Sequence, residues 1–266
     1  MSDPKPGHIA QWIVEDERIV QEEFQPLENI ISGVIKDRIP SFSLEKCAEI
    51  AETNVADVYD ILTLKKEEYA DQGIEPVFEV HVDGEEKHYK KIRSSAKSLL
   101  ESLKLLDCTD FEHFCACLLK RIGSDARTVG RTGDQEIDFW AKNVPIGHIK
   151  ERAEASSINL FVFGQAKRYS KGKLVAEKDV RSFIGGAIKK GSDYMRECSK
   201  AGILSPIIYA FWTTSDFEPS ARKYCADIGI RYLNGLALSQ LATRAGFAPT
   251  NVQYYINEYK NQPVTA

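Results

Sequence analysis

Apolar residues recur at three- and four-residue steps over 11–38 (Trp12, Ile13, Ile19, Val20, Phe24, Leu27, Ile30, Ile31, Val34), which predicts a helix closed by Pro40. Ser43 then stands where a helix cap belongs, and Leu44, Cys47, Ala48 and Ala51 make a short apolar face. A turn near Thr53 and Asn54 would lead into a second helix carrying Val55, Val58, Ile61 and Leu62. Helix, turn, helix is the outline of a DNA-reading element. Here, however, the second helix holds Asp57 and Asp60, which repel phosphate, so a plain helical packing module fits better. Residues 77–82 read as a strand, Asp83 and Gly84 form a hairpin-turn pair, and 93–106 return to helical spacing.

From Cys108 onward helices and strands alternate. A helix over 110–122 would bury Phe111, Phe114, Cys115, Leu118, Leu119 and Ile122. Strands are predicted near 126–130, 136–141 and 158–166, and a helix at 177–199. The almost wholly apolar run 207–212 reads as a strand covered on both faces. A helix at 218–227, a strand at 229–233 and a helix at 235–245 complete the pattern, which is that of the α/β class. The organisation expected is a mainly helical domain over 1–107, an α/β domain over 108–246 and a polar, tyrosine-containing tail over 247–266.

Charge changes the picture by being uneven. Residues 1–110 carry 13 basic and 24 acidic side chains, whereas 120–200 carry 17 basic and 10 acidic. The central third is therefore the part suited to a polyanion. No apolar run approaches the roughly 20 residues of a membrane helix, and no secretory signal opens the chain. The six cysteines show no zinc-ligand spacing and are expected as buried free thiols in a reducing cytoplasm.

The candidate chemistry lies between 130 and 169. A Gly-rich turn feeds Asp138 into a short apolar run, and a second run, 161–169, ends Gln165, Ala166, Lys167, Arg168, Tyr169. Alternation puts Gln165 and Lys167 on one side of a strand, and pairing of the two runs would bring Asp138 to them. A carboxylate, an amide oxygen and an ammonium suit a hard metal ion and a phosphate. Each residue also has a plainer reading. Asp138 could pair with Arg127 or Arg131, Gln165 could bond neighbouring backbone, and Lys167 could be a solvated strand end. Glu112 could close a capping box with Thr109, or face the site from its helix. Asp134 and Glu136 are further acidic candidates. Arg168, Tyr169, Lys171, Lys173, Lys178 and Arg181 could hold a phosphodiester backbone, or form a loop and an exposed helix face.

These fragments together resemble the catalytic domain of the Mrr-like restriction endonucleases, a branch of the PD-(D/E)xK nuclease superfamily, over about 110–242. The matching pieces are Phe111-Glu112, then Gly133-Asp134-Gln135-Glu136-Ile137-Asp138, then Gln165-Ala166-Lys167-Arg168-Tyr169. The run 180–187 and Thr213-Thr214-Ser215-Asp216-Phe217 follow in order. Gln165 stands where the superfamily more often has Glu, and Gln135 and Glu136 stand where the family usually has glycines.

The resemblance implies a restriction-endonuclease-like αβββαβ core beside the mostly helical N-terminal domain. It implies Mg²⁺ as cofactor, with Mn²⁺ as a substitute, held by Asp138 and Gln165, with Lys167 as catalytic lysine and Glu112 as a helix-borne acid. The expected activity is cytoplasmic DNA endonuclease action of a restriction or phage-defence type, with a homodimer for double-strand cleavage and a protein partner for the N-terminal domain. The rival is a non-catalytic nucleic-acid- or protein-binding module that keeps the nuclease fold.

Overall fold

The computed structural model describes residues 3–16, 19, 23–71, 73–92, 94–129, 137–144, 160–169, 173–197 and 205–262. The chain divides into two compact units, 1–94 and 95–266. The division precedes the boundary expected near Asp107, because the helix before it, α4 (Ser95–Leu105), buries Leu99 and Leu103 in the core of the second unit. Among the described residues no helix is long and apolar enough to cross a membrane.

In the first unit, α1 (Pro6–Glu15), α2 (Leu27–Arg38) and α3 (Leu44–Asp71) pack together with a small sheet. The sheet order is β1 (Gln25–Pro26), β3 (Glu86–Lys91), β2 (Phe78–Asp83), all antiparallel. The continuous helix expected over 11–38 is in fact two helices. Pro26 cannot sit inside a helix, lacking an amide proton, and instead forms the N-cap of α2. At the end of α1, the buried Lys91 ammonium donates to the carbonyls of Ile13, at 3.3 Å, and Asp16.

The helix-turn-helix outline is also overturned, since 44–71 is one unbroken helix. The polar side chains expected to break it are satisfied within it. Thr53 Oγ1 donates to the Glu49 carbonyl at 2.8 Å and Asn54 Nδ2 to that of Ile50 at 2.7 Å. The β2–β3 hairpin does form where expected, with Gly84 at a φ of 62° that favours glycine.

The second unit is built on a five-stranded sheet in the order β4 (Asp125–Thr128), β5 (Phe139–Lys142), β6 (Phe161–Lys167), β7 (Ile207–Thr213), β8 (Arg231–Leu233). The pairs β4–β5 and β5–β6 are antiparallel, while β6–β7 and β7–β8 are parallel. One face is covered by α4, α5 (Cys108–Arg121), α8 (Gly235–Arg244) and α9 (Val252–Lys260), whose apolar residues meet Phe139, Val162, Ala210 and Trp212. The other face meets α6 (Glu177–Glu197) and α7 (Pro219–Ile228) through Phe161, Phe163 and Phe211. With both faces covered, β6 reads as a nearly unbroken apolar run. The order α5, β4, β5, β6, α6, β7 is the expected αβββαβ core.

Two further expectations are corrected. The stretch after 247 is a folded element rather than a polar tail, because α9 buries Val252 and Ile256 against α5. Cys47, Cys115, Cys117 and Cys225 are buried free thiols as expected, but Cys108, at the start of α5, is exposed; Cys198 lies outside the described residues.

Candidate active site

Asp138 immediately precedes β5, and its neighbour Phe139 pairs with Gly164 of β6. The glycine has a steric cause: a Cβ at 164 would stand 2.0 Å from Phe139 Cζ. That close approach lets Phe139 lie fully buried beside Trp212, with ring centroids 4.9 Å apart. It also fixes what flanks it. The Asp138 amide donates to the Gly164 carbonyl at 2.9 Å, and the Ala166 amide donates to Asp138 Oδ2 at 2.8 Å. The carboxylate is thereby anchored on the one residue that separates Gln165 from Lys167.

Gln165 is buried, and Lys167, the last residue of β6, is half-buried opposite Thr213 of β7. The Lys167 carbonyl accepts the Thr213 hydroxyl at 2.7 Å. Arg127, one partner considered for Asp138, lies over the Trp140 ring at 6.0 Å from its centroid. Arg131, the other, lies outside the described residues, as do Gly133, Asp134, Gln135 and Glu136.

Glu112 comes from α5. The capping-box reading fails, because the cap is Asp107, whose side chain accepts the Asp110 amide at 2.7 Å, and Glu112 stands beyond the first turn. The buried Cys115 one turn further on reports where the charges fall. Its thiol is pushed well up, by burial first and then by the Asp138 and Glu112 carboxylates. Two carboxylates from separate elements thus act on one buried atom.

The basic residues divide. Arg168 donates to the Lys104 carbonyl at 3.2 Å, tying the end of β6 to the end of α4. Tyr169 is buried rather than displayed, and its hydroxyl donates to Asp179 Oδ2 at 3.1 Å. Burial, then the charge of Asp179 and this hydrogen bond, push its phenol up to about 12. Lys173 is exposed, with its ammonium 4.5 Å from the Tyr169 ring centroid. Arg181 is exposed, paired with Glu177 at 2.6 Å and stacked 4.0 Å from the Tyr224 ring centroid. Lys171 lies outside the described residues.

Among the described residues no three His, Cys, Asp or Glu side chains form a metal cluster. Asp138 and Glu112 both raise the Cys115 thiol, and Gln165 is the neighbour of Ala166, whose amide Asp138 accepts. Asp138, Glu112 and Gln165 all offer hard oxygen donors, the kind a hard divalent cation takes. Thr213 and Thr214, two hydroxyls at and just past the end of the otherwise apolar β7, also hold the end of β6, a role legible in the sequence only as polar residues after an apolar run.

A mixed sheet inside an αβββαβ order, with an aspartate locked between a glutamine and a lysine at its central strand, defines a restriction-endonuclease-like domain. Residues 103–242 match the restriction endonuclease family model Mrr_cat, and the chain belongs to that family. Two solved structures are similar in part. The MspJI restriction endonuclease in complex with a 27-mer oligonucleotide is 15% identical, with a TM-score of 0.41 over 65% of this chain and 41% of that one. The DNA modification-dependent restriction endonuclease AspBHI is 14% identical, with a TM-score of 0.43 over 69% of this chain and 60% of that one. The chain thus spans less than two thirds of either enzyme's length. No curated protein matches it.

Proposed function

We propose that the chain is a divalent-metal-dependent DNA endonuclease of the restriction, phage-defence type. The reading rests on one relation: Asp138 is hydrogen-bonded to the amide of Ala166, between Gln165 and Lys167. Asp138 and Gln165 would hold Mg²⁺, or Mn²⁺ in its place, with Glu112 as the helix-borne acid. The ion would polarise a phosphoryl oxygen and lower the pKa of a water. Lys167 would orient that water or stabilise charge on the phosphoryl oxygens, and its anchored backbone limits how far its ammonium can stray. Lys173, Arg181 and Lys171 are the residues offered to the DNA backbone. Arg168 and Tyr169 are held at the Lys104 carbonyl and at Asp179.

With one such site per chain, double-strand cleavage calls for two copies, and a two-fold homodimer is the commonest arrangement. The acidic first unit suits a protein partner better than a duplex. The test is cleavage of plain and base-modified plasmid with Mg²⁺, with Mn²⁺ and with chelator, beside Lys167→Ala. Metal-dependent nicking or linearisation, lost in the variant while DNA binding persists, is the expected result. Full cleavage by Lys167→Ala overturns the role of the lysine. Binding without cleavage of any substrate favours the non-catalytic module.

A further inference from the structure

The parallel ladder between β6 and β7 ends at Lys167 opposite Thr213, yet the two chains stay joined well beyond it. The joining groups are hydroxyls. Thr213 Oγ1 donates to the Lys167 carbonyl at 2.7 Å, while the Thr214 amide reaches the same oxygen only at 3.4 Å. One step on, Thr214 Oγ1 accepts the Tyr169 amide at 3.1 Å and donates back to the Tyr169 carbonyl at 3.3 Å. Ser215 Oγ then donates to the Lys173 carbonyl. Backbone pairing resumes where the Val175 amide donates to the Asp216 carbonyl at 2.9 Å and the Glu218 amide to that of Val175 at 2.9 Å. Among the described residues, three successive hydroxyls thus add to one long backbone bond along the segment that begins with Lys167.

Thr213 and Thr214 are 0% and 1% exposed, so their hydroxyls have no water to turn to; without them the Lys167 carbonyl would keep only the long bond from the Thr214 amide, and the Tyr169 amide would lose this partner. We propose that Thr213 is a positioning residue for Lys167: its hydroxyl fixes the lysine's main chain where the strands part. Thr214 holds the next two residues in register. This inference rests on the nuclease reading above. On this proposal Thr213 acts through Lys167 rather than on the phosphodiester or the metal. Its effect is on where the lysine ammonium sits, and it belongs to the rate of the chemical step rather than to affinity for DNA.

The test compares Thr213→Val, Thr213→Ser and Thr213→Ala in the full chain. Three readouts are taken: single-turnover cleavage with Mg²⁺, DNA affinity in chelator, and hydrogen exchange of peptides from 161–169 and 207–218. Serine and alanine both lose the methyl group and differ only in the hydroxyl, so their ratio removes the packing loss even if valine fails to fold. The expected result is a cleavage rate about tenfold or more lower for valine and alanine than for serine, with affinity unchanged within about twofold, because misplacing a catalytic group costs rate. Exchange of both peptides should quicken in valine and alanine alone. Equal rates for serine and alanine overturn the proposal, as does a loss confined to affinity. A wild-type chain that cuts nothing overturns the nuclease reading instead. In that event the exchange readout decides the anchoring, and equal protection in serine and alanine refutes it.

Discussion

The Tyr259 hydroxyl accepts the Thr128 amide at 3.0 Å and donates to the Ala126 carbonyl at 3.5 Å, on the outer side of β4. An edge strand presents such groups unpaired, and here a tyrosine from α9 stands in for the missing neighbour. Since β4 pairs with β5, which leads back to Asp138, the last helix supports the hairpin that carries the site. It lies beyond the stretch matched by the family model. Tyr259→Phe keeps the ring against His113 and removes only the hydroxyl. The expected loss is about 1 kcal/mol, read as a lower urea midpoint at unchanged slope. An unmoved midpoint would mean that water serves the β4 edge equally well.

Gly164→Ala should be more damaging. The new methyl meets three carbons of the Phe139 ring at 2.0 to 2.7 Å, and that ring is fully buried. Overpacking of this kind costs about 1–3 kcal/mol. Adding Phe139→Leu should return part of the loss, with a coupling of about 1 kcal/mol between the two changes. Strict additivity in chemical denaturation would show that the two residues do not meet.

Much of this unit was legible. The segment 161–167 is apolar on both faces, and the glutamine and lysine closing it stand out against that background, so the strand and its candidate residues could be read together, whereas the pairing of Phe139 with Gly164 could not. The first unit was harder because its signals are contextual. Thr53 and Asn54 are turn formers by type, and they sit inside a helix only because the carbonyls of Glu49 and Ile50 accept their side chains. Pro26, which starts α2, lay inside a periodic apolar pattern, and α1 has already ended at Glu15. The polar look of 247–262 hid Val252 and Ile256, which bury with a one-turn spacing too brief to stand out as a periodic face. Tyr169 looked like a DNA contact beside its basic neighbours, and only the tertiary fold places Asp179 against its hydroxyl.

Asp138→Asn separates anchor from charge. The asparagine oxygen can still accept the Ala166 amide, so the β5–β6 hairpin should survive and melting should shift little. The negative charge offered to a cation is lost. Cleavage should fall on the order of 100-fold or more, comparable to removing a preorganised electrostatic group, and the Mg²⁺ concentration for half-maximal rate should rise. Chelator should abolish cleavage by the wild-type chain. An asparagine variant that cuts at the wild-type rate at low Mg²⁺ would overturn the proposal that Asp138 is a metal ligand.

Tyr169 gives an alkaline prediction. Its phenol is pushed up to about 12 by burial, then by the charge of Asp179 and the hydrogen bond to it, against about 10 in an unfolded chain. The folded state therefore holds this proton more tightly. The associated stability is complete below about pH 10 and drains away as pH rises toward about 12, where the folded state also ionises. A phenolate there would face the Asp179 carboxylate at the start of α6 and loosen the segment following Lys167. Tyr169→Phe should lower stability at neutral pH by about 1 kcal/mol, the worth of the hydrogen bond, yet flatten the decline above pH 10. Urea midpoints at neutral and alkaline pH, with tyrosinate absorbance followed alongside, check both parts. Parallel declines for the two proteins would show that other buried phenols, such as Tyr89, whose pKa burial also raises, set the alkaline limit.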